Sequence, residues 1–330
     1  MSSNYGLILV VLTFVSGIIW LIDIFTTGKT RKAALAKLYE QDKNPNEETI
    51  KAVSREPIHV DYAKSFFPIL LFIVVLRSFL YEPFQIPSAS MKPTLVEGDF
   101  ILVNKFNYGL RLPVTSKKVV EIDSPQRGDV AVFRAPHTGE DYIKRIVGLP
   151  GDTVYYTSNK ELHILPFCQP ELAPQDCPKR YRVNRTLVST EKYLDINPST
   201  GAVRENDHFS EKLGEREHEI LINPRAPEER KYYIGYYKGP APAVKFYRDG
   251  SSLPIKAYEY KVPEKSYFVM GDNRDNSEDG RYWPKTNFVP EENLVGQAVY
   301  VWLHLDFGLK SRWFSWVPTN IEFGRVGEIK

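Results

Sequence analysis

Residues 141–152 read DYIKRIVGLPGD, and this stretch predicts the fold class. Side chains alternate between the two faces of an extended strand, so residues two apart share a face. One face carries Tyr142, Lys144 and Ile146, and the other carries Ile143, Arg145 and Val147. Lys144 therefore lies among aromatic and apolar side chains. Two interpretations stay open here: an ordinary strand lysine whose ammonium reaches water, and a buried lysine with a chemical role.

Similar segments recur from residue 82 onward. They are short, rich in β-branched and aromatic residues, and bounded by Gly, Pro, Asp and Asn, which is typical of strands. They are ILVNKFNYGL at 101–110, DVAVFRAP at 129–136, TVYY at 153–156, YFVMGD at 267–272 and LVGQAVYVWL at 294–303. Together these segments predict a mainly β protein.

Residues 157–261 differ in composition from the segments on either side. They are polar, rich in charge and proline, and contain no motif that we can assign to chemistry. Strands of their own are predicted around residues 232–237 and 243–247. We interpret this region as a second, β-rich part that is inserted between residues 83–156 and 262–330.

The charge balance argues against one class of partner. The chain has 43 Lys and Arg against 41 Asp and Glu, a formal net charge of +2. Binding of nucleic acid would call for a clustered basic surplus, so no nucleic acid partner is predicted. Hydrophobic residues at 42% and charged residues at 25% are ordinary for a folded protein.

The first 22 residues contain no charged side chain and are long enough for the about 20 residues that cross a bilayer. No basic stretch precedes Leu7, as it would in a cleaved secretory signal. We therefore predict a retained first transmembrane segment within residues 1–27. The alternative is a buried helix of a soluble protein.

A second apolar run predicts a second transmembrane segment at residues 65–82, although it carries Pro68 and Arg77. Arginine near the end of a span can extend to the interface, and an early proline is tolerated there. Basic residues are concentrated between the spans, at Lys29, Arg31, Lys32, Lys37, Lys43, Lys51, Arg55 and Lys64. The positive-inside rule then predicts a cytoplasmic loop at residues 28–64, with the rest of the chain after Tyr81 on the opposite side.

The two cysteines lie in the proline-flanked stretch FCQPELAPQDCP at 167–178. In an oxidising compartment a disulfide between Cys168 and Cys177 would stabilise this loop by roughly 2–3 kcal/mol. Two unrelated thiols are the alternative. No histidine stands beside them, so they do not predict a zinc site.

One polar segment, GDNRDNSEDGR at 271–281, invites a calcium interpretation. With Asp275 as position one, the positions that EF-hand loops use hold Ser277, Asp279 and Gly280. Position twelve is Thr286 instead of glutamate, and Pro284 stands inside the loop. A polar loop held by an internal pair such as Asp279 with Arg281 is the better interpretation, and no metal is predicted.

Four segments in order resemble one family: S-x-S-M-x-P-T-L within 86–95, R-G-D-V at 127–130, K-R-x-x-G-x-P-G-D within 141–152, and G-D-N-R-D-N-S-x-D-x-R at 271–281. Behind two spans they resemble bacterial type I signal peptidase, or leader peptidase, in its Gram-negative form. The resemblance covers the spans and about residues 77–155 and 262–305. It implies two transmembrane helices followed by an antiparallel β catalytic domain, residues 83–156 and 262–330.

The resemblance also implies a function and a location. The function is that of a membrane-bound serine endopeptidase that removes N-terminal signal peptides from exported preproteins, cutting after small residues in Ala-x-Ala sites. The location is the bacterial inner membrane, crossed more than once, with the catalytic domain in the periplasm. Exported preproteins are the expected partners, no cofactor is expected, and nothing demands more than a monomer. The nucleophile is expected close to the membrane lipid, because Ser90 follows Arg77 by only thirteen residues.

The resemblance assigns roles to individual residues. Ser90 matches the nucleophile and Lys144 the general base, while Ser88 matches the oxyanion-hole hydroxyl. Ser277 matches the serine that orients the lysine amine by a hydrogen bond, and Asp279 and Arg281 match a supporting pair. Residues matching the substrate pockets are Phe84, Ile86, Met91, Leu95, Ile101, Val132, Tyr142 and Ile143.

The chemistry explains how a lysine can act as a base. At its free pKa near 10.4 only about one lysine in a few thousand is neutral at pH 7. Burial disfavours the ammonium and can bring the pKa to ~7–8, where the amine can accept a proton from serine. None of the six histidines falls within the four motifs, which agrees with a serine–lysine pair.

Two other classes of protein compete with this interpretation. A membrane-anchored β domain that binds or scaffolds without catalysis would explain the spans and strands, but not a serine and a lysine at both matching positions. A self-cleaving repressor of related fold would use serine and lysine, but such proteins are soluble and intracellular, which two spans contradict.

Overall fold

The computed structural model describes residues 2–112, 118–197, 201–226, 241–248, 252–307 and 317–330, with side chains from residue 6. Its contacts divide the chain into two compact units. The first contains residues 1–80, and the second contains residues 81–110 and 118–330. Each unit is described by itself.

The first unit is helical. Its helices are α1 (Ser2–Phe25), α2 (Thr27–Gln41), α3 (Glu47–Ser54) and α4 (Ile58–Val75), and a π-helical turn, Leu76–Leu80, follows α4. Helix α1 packs against α4 where Gly17 faces Phe67, since a Cβ at Gly17 would stand 2.7 Å from the Phe67 ring. At the end of α1, the Asp23 carboxylate pairs with Arg31 of α2 at 2.7 Å.

Two helical stretches, Gly6–Gln41 and Ile58–Leu80, are long and apolar enough to cross a membrane. The second begins seven residues before the predicted start at residue 65. Helix α4 begins directly after Pro57, whose backbone is extended. Its first turns carry His59, Asp61 and Lys64, so a reading based on hydrophobicity finds only the later, apolar part.

The second unit is built from strands. Their bounds are β1 Tyr81–Gln85, β2 Asp99–Asn104, β3 Leu110–Arg111, β4 Lys118–Val120, β5 Val130–Arg134, β6 Asp141–Gly148, β7 Thr153–Thr157, β8 Leu162–Leu165, β9 Tyr181–Arg182, β10 Arg185–Ile196, β11 Val203–Leu213, β12 Arg216–Ile222, β13 Ala243–Phe246, β14 Ile255–Lys261, β15 Ser266–Met270, β16 Phe288–Pro290, β17 Leu294–Asp306, β18 Asn320–Ile321 and β19 Gly327–Glu328.

The largest sheet of the described chain has the order β1-β2-β17-β5-β6-β15-β16, with β18 and β19 pairing with β17. A second sheet has the order β13-β14-β7-β8-β9, and a third has the order β10-β11-β12. The strand pairs in these three sheets are antiparallel. This architecture, with two apolar N-terminal helices, confirms the predicted fold class.

The region predicted as an insertion, residues 157–261, supplies strands to two sheets. It forms the whole of β10-β11-β12, while its β14 pairs with β7, which lies mostly before residue 157. The strand predicted around residues 243–247 is β13. The strand predicted around residues 232–237 falls outside the described residues.

Strand β6 has the predicted alternation, but both of its faces are buried. From Ile143 to Gly148 every residue of the strand is buried. Ile143 packs in a cluster with Met91, Leu95 and Val132. Ile146, on the other face, packs with Phe133, Val269 and Trp283. Lys144 therefore enters the protein interior together with Ile146.

Cys168 and Cys177 form a disulfide with Cα atoms 5.1 Å apart. It closes the connection between β8 and β9, and neither cysteine lies in one of the four motifs. The disulfide therefore restricts the unfolded chain within one loop, and this loop is distant in sequence from the site residues.

We expect the double variant Cys168→Ser/Cys177→Ser to lower the free energy of unfolding by about 2–3 kcal/mol, because it removes the closure of a short loop. The activity that the motif resemblance implies should change little. The measurements are urea unfolding and substrate cleavage by the full chain in detergent, with Gln175→Ser, an exposed change in the same loop, as the control. Free thiols at both cysteines in unreduced wild-type protein would contradict the bridge.

Candidate active site

The Ser90 side chain lies in a tight turn after β1. A one-turn 3-10 helix, Ala89–Met91, buries Ser90 and Met91. The backbone N–H of Asn273 donates to the Ser90 carbonyl at 3.1 Å. The side-chain amide of Asn273 donates to the Ala89 carbonyl at 3.0 Å. Asn273 thereby fixes the peptide groups on both sides of the Ser90 Cα.

Lys144 reaches this turn from the middle of β6, although 54 positions separate it from Ser90. Its Nζ donates to Ser90 Oγ at 2.8 Å and to the Ile143 carbonyl at 2.8 Å. Both side chains are buried, with Lys144 only 4% and Ser90 7% exposed. The hydrophobic neighbours of β6 leave no room for a water shell around the amine.

Burial lowers the pKa of Lys144 to about 8, because the ammonium loses its hydration. The carboxylates of Asp279, Glu278 and Asp272 act in the opposite direction and raise this pKa. Desolvation is the larger effect. At a pKa of about 8, roughly a tenth of the amine is neutral at pH 7, several hundred times more than for a free lysine.

Asp279 and Arg281 form a fully buried ion pair in the loop after β15. Arg281 donates to both carboxylate oxygens of Asp279, at 2.9 and 2.8 Å, and the Gly271 N–H donates to the same group at 2.9 Å. Burial alone would raise the pKa of Asp279, but the Arg281 guanidinium and these hydrogen bonds hold it below its usual value. The Arg281 charge therefore compensates that of Asp279, and the pair adds no net charge beside the Lys144 amine.

A second buried ion pair joins Arg145 to Asp272. Arg145 donates to the two carboxylate oxygens at 2.8 and 2.7 Å, and Thr94 donates to Asp272 at 2.6 Å. Burial would raise the pKa of Asp272, and the Arg145 guanidinium overrides this and lowers it. Sequence reasoning placed Arg145 on the face away from Lys144 but missed Asp272. The motifs contain Arg145 directly after Lys144 and Asp272 directly after Gly271, and this was the available signal for the ion pair.

Ser88 and Ser277 have different surroundings. Ser88 is exposed, and its Oγ lies 3.3 Å from Ser90 Oγ. Ser277 is fully buried, and its hydroxyl is one of the groups that lower the pKa of Asp279. Among the described residues the Lys144 amine donates to Ser90 Oγ and to the Ile143 carbonyl, and no hydrogen bond joins it to Ser277.

Gly271 is a site residue that sequence reasoning missed. A Cβ at this position would lie 2.2 Å from Ser277 Oγ and 2.4 Å from the Ser90 carbonyl oxygen. No side chain fits between these atoms, so only glycine allows the two loops to approach. A glycine near the end of the predicted strand segment 267–272 was the signal for such a close backbone approach.

Most of the predicted pocket residues come together beside Ser90. One buried cluster contains Ile86, Met91, Leu95, Ile101, Val132 and Ile143, and Phe84 packs against it. Tyr142 does not join them. It lies on the other face of β6 near Trp283, and its ring centroid is 5.4 Å from Lys144 Nζ.

The carboxylates of the loop considered for calcium are engaged by cationic side chains. Asp275 accepts from Lys160 at 2.9 Å, and Asp279 is held by Arg281. Elsewhere, His304, Asp306 and Glu322 place ligand atoms close together. The His304 ring, however, is bonded to Asp99 at 2.7 Å and to Asp306 at 3.1 Å, so both of its nitrogens are in use.

The sequence of the chain matches one family of known proteins. The family model "Signal peptidase, peptidase S26" matches residues 59–303. Relatives named signal peptidase I from Pseudomonas fluorescens and Pseudomonas aeruginosa are each 43% identical over 342 residues, covering all of this chain and all of the relative. One from Haemophilus influenzae is 33% identical and covers 98% of this chain and 91% of its own length.

A crystal structure of a signal peptidase I from Enterococcus faecalis matches 54% of this chain and 98% of its own at 22% identity, with a TM-score of only 0.23. The full-length relatives and the family match are far stronger, and they confirm the resemblance that the four motifs indicated. The chain belongs to the signal peptidases of family S26 and is a serine peptidase.

Proposed function

We propose that the chain cleaves signal peptides from exported preproteins with Ser90 as nucleophile and Lys144 as general base. The observation that carries this proposal is the 2.8 Å hydrogen bond between the buried Lys144 Nζ and the buried Ser90 Oγ. An exposed pair at this distance would leave the lysine charged. Burial of Lys144 lowers its pKa, which makes the amine a usable base.

The proposed reaction follows from the positions of these atoms. Neutral Lys144 takes the proton of Ser90 Oγ as that oxygen attacks the scissile carbonyl. The resulting ammonium then gives the proton to the leaving amine. The acyl group stays on Ser90 until a water, deprotonated by the same amine, attacks the acyl carbon. The ammonium then returns the proton to Ser90 Oγ as the signal peptide leaves. One side chain thus serves as base and then as acid in each of the two steps.

The developing oxyanion needs hydrogen-bond donors near Ser90. The Ser90 backbone N–H and the Ser88 hydroxyl are proposed for this role, since Ser88 Oγ lies 3.3 Å from the nucleophile. Loss of one such donor costs roughly 10²–10³ in rate. We further propose that Ser277, with Asp279 and Arg281, supports the position of the lysine amine.

The cluster beside Ser90 is proposed to select small side chains. Most of its members are branched or bulky apolar residues, and we propose that their close packing leaves only shallow surfaces for a substrate side chain. Alanine fits such a surface and a large side chain does not. Ala-x-Ala sites in exported preproteins are the proposed substrates.

Anchoring in the inner membrane is proposed from the two apolar helical stretches and the basic residues between them. In this proposal residues 1–27 and 65–82 span the membrane, residues 28–64 are cytoplasmic, and the catalytic domain with its insertion lies in the periplasm near the lipid. The protein is proposed to act as a monomer.

Ser90→Ala should abolish cleavage of a preprotein carrying an Ala-x-Ala site, with a fall in kcat of at least about 10⁴, because no other group replaces the nucleophile. The control is Ser252→Ala, which changes an exposed serine and should cleave normally. Retained cleavage by a folded Ser90→Ala enzyme would rule out the proposed mechanism.

The pH dependence tests the base. For wild type, kcat/KM should be low at acidic pH and rise through an apparent pKa near 8, because the active form of Lys144 is the neutral one. Lys144→Arg should be inactive at every pH, since guanidinium keeps its proton in this range. Lys245→Arg, at an exposed lysine, is the control. Cleavage by Lys144→Arg would remove Lys144 as the base.

The topology can be tested with single cysteines placed at Glu47 and at Glu215, both of which are exposed. In intact cells an impermeant thiol reagent should label the cysteine at Glu215 but not the one at Glu47. After lysis both should react, which controls for accessibility. The reverse pattern in intact cells would contradict the proposed orientation.

A further inference from the structure

The three-stranded sheet β10-β11-β12 contacts the loop 271–276 through each of its strands. In β12, the Leu221 N–H donates to the Asp272 carbonyl at 2.9 Å. In β11, the Glu211 carboxylate forms a buried ion pair with Arg274, one of whose contacts is 3.1 Å long. In β10 the contact is made by Asp195. The sheet therefore contributes polar groups next to the proposed nucleophile.

Asp195 has unusual surroundings for a residue of its strand. Every other residue of β10 is exposed or half-buried, whereas Asp195 is 5% exposed. A buried carboxylate is costly unless it is paired and hydrogen-bonded. Strand formation alone gives no reason to bury the one acidic side chain near the end of an otherwise exposed strand. Its partners provide the reason.

The partners of Asp195 are the groups that hold the Ser90 turn. One carboxylate oxygen accepts from Lys92 Nζ at 3.0 Å. The other accepts from the side-chain amides of Asn273 and Asn276, both at 3.3 Å. A single side chain of the inserted sheet thus joins the chain just after Ser90 to the loop that follows β15.

Lys92 is close enough to Ser90 to control its position. Its backbone N–H donates to the Ala89 carbonyl at 3.1 Å and closes the 3-10 turn. Its ammonium also contacts Glu97 at 2.8 Å. Burial would lower the pKa of Lys92, but Glu97 and Asp195 together raise it above its usual value. The Lys92 side chain is therefore a charged link between these segments, and its charge is stabilised by both carboxylates.

Asn273 holds the other side of the same turn. It donates its backbone N–H to the Ser90 carbonyl and its amide to the Ala89 carbonyl. Its amide also donates to Asp195, which limits the rotation of that side chain. Asp195 consequently fixes two groups that contact the peptide bonds flanking the nucleophile.

We propose that Asp195 is a positioning residue through which the inserted sheet holds Ser90 in line with Lys144. This inference rests on the proposed function of those two residues. Asp195 touches neither of them, and it acts through Lys92 and Asn273. A misplacement of the nucleophile of about 1 Å can cost about 10² in rate, so a contact that only orients the turn can have a large kinetic effect.

The test compares matched Asp→Asn variants of the full chain in detergent. Asp195→Asn should lower kcat at least about tenfold while KM changes less than about twofold, because the substrate pocket is left intact. The apparent pKa in kcat/KM should stay near that of wild type, since Asp195 is not among the charges that shift Lys144. Asp207→Asn removes the partner of Lys192 on the surface of the same sheet and should be kinetically silent.

Lys92→Met breaks the same contact from the other side and covers the case in which Asp195→Asn fails to fold. Its kcat should fall similarly, and the double variant should lose no more than the worse single one, because both changes remove one interaction. Wild-type kcat in folded Asp195→Asn or Lys92→Met, a change confined to KM, or an equal loss in Asp207→Asn would each overturn the inference.

Ser90→Ala in the same assay separates the two proposals. If Ser90→Ala is inactive while folded Asp195→Asn is as fast as wild type, the positioning role fails and the serine–lysine mechanism stands. If Ser90→Ala still cleaves, the mechanism itself fails, and the role of Asp195 falls with it. Circular dichroism and thermal unfolding of every variant establish that the proteins compared are folded.

Discussion

The burial of the Lys144 amine against Ser90 is the constraint on which the other parts of the site depend. Desolvation lowers the pKa of Lys144, but any unpaired carboxylate nearby would restore the charge of the amine. Two of the three carboxylates that act on it are therefore paired with arginine, Asp279 with Arg281 and Asp272 with Arg145. Apolar side chains thus surround the amine, and the carboxylates beyond them have their charge compensated by arginine.

This arrangement explains why the site needs so many strands. Lys144 stands on β6, Ser90 follows β1, and the arginine-paired loop follows β15, so three distant parts of the chain must meet within a few ångströms. The large antiparallel sheet fixes β5, β6 and β15 in one register. Gly271 then lets the loop approach the Ser90 carbonyl where a Cβ would collide. The rigid strands and the close backbone approach at Gly271 keep Ser90 and Lys144 in contact, which two flexible side chains could not do alone.

Strand alternation and the order of motifs predicted the fold class, the contact between Ser90 and Lys144, and a set of apolar residues most of which lie in one cluster. Alternation assigns residues to the faces of a single strand, and it does not say what covers each face. It could not show that β6 is buried on both sides, with Ile143 and Tyr142 packed in different apolar clusters and Arg145 paired with Asp272. The motif likewise includes Ser277 among the residues of the site, but it does not specify the hydrogen-bond partner of that side chain.

The role of the inserted sheet was hidden by its composition. A polar, charged segment predicts a solvated surface, and most of β10 is indeed exposed. Three charged contacts of the region 157–261 nevertheless point inward: Glu211 to Arg274, Asp195 to Lys92, and Lys160 to Asp275. Each pair joins the region 157–261 to a residue of the motifs or one beside them. The sequence suggests that these charged residues lie on the surface. In the structure they form ion pairs that hold the region 157–261 against the motif segments.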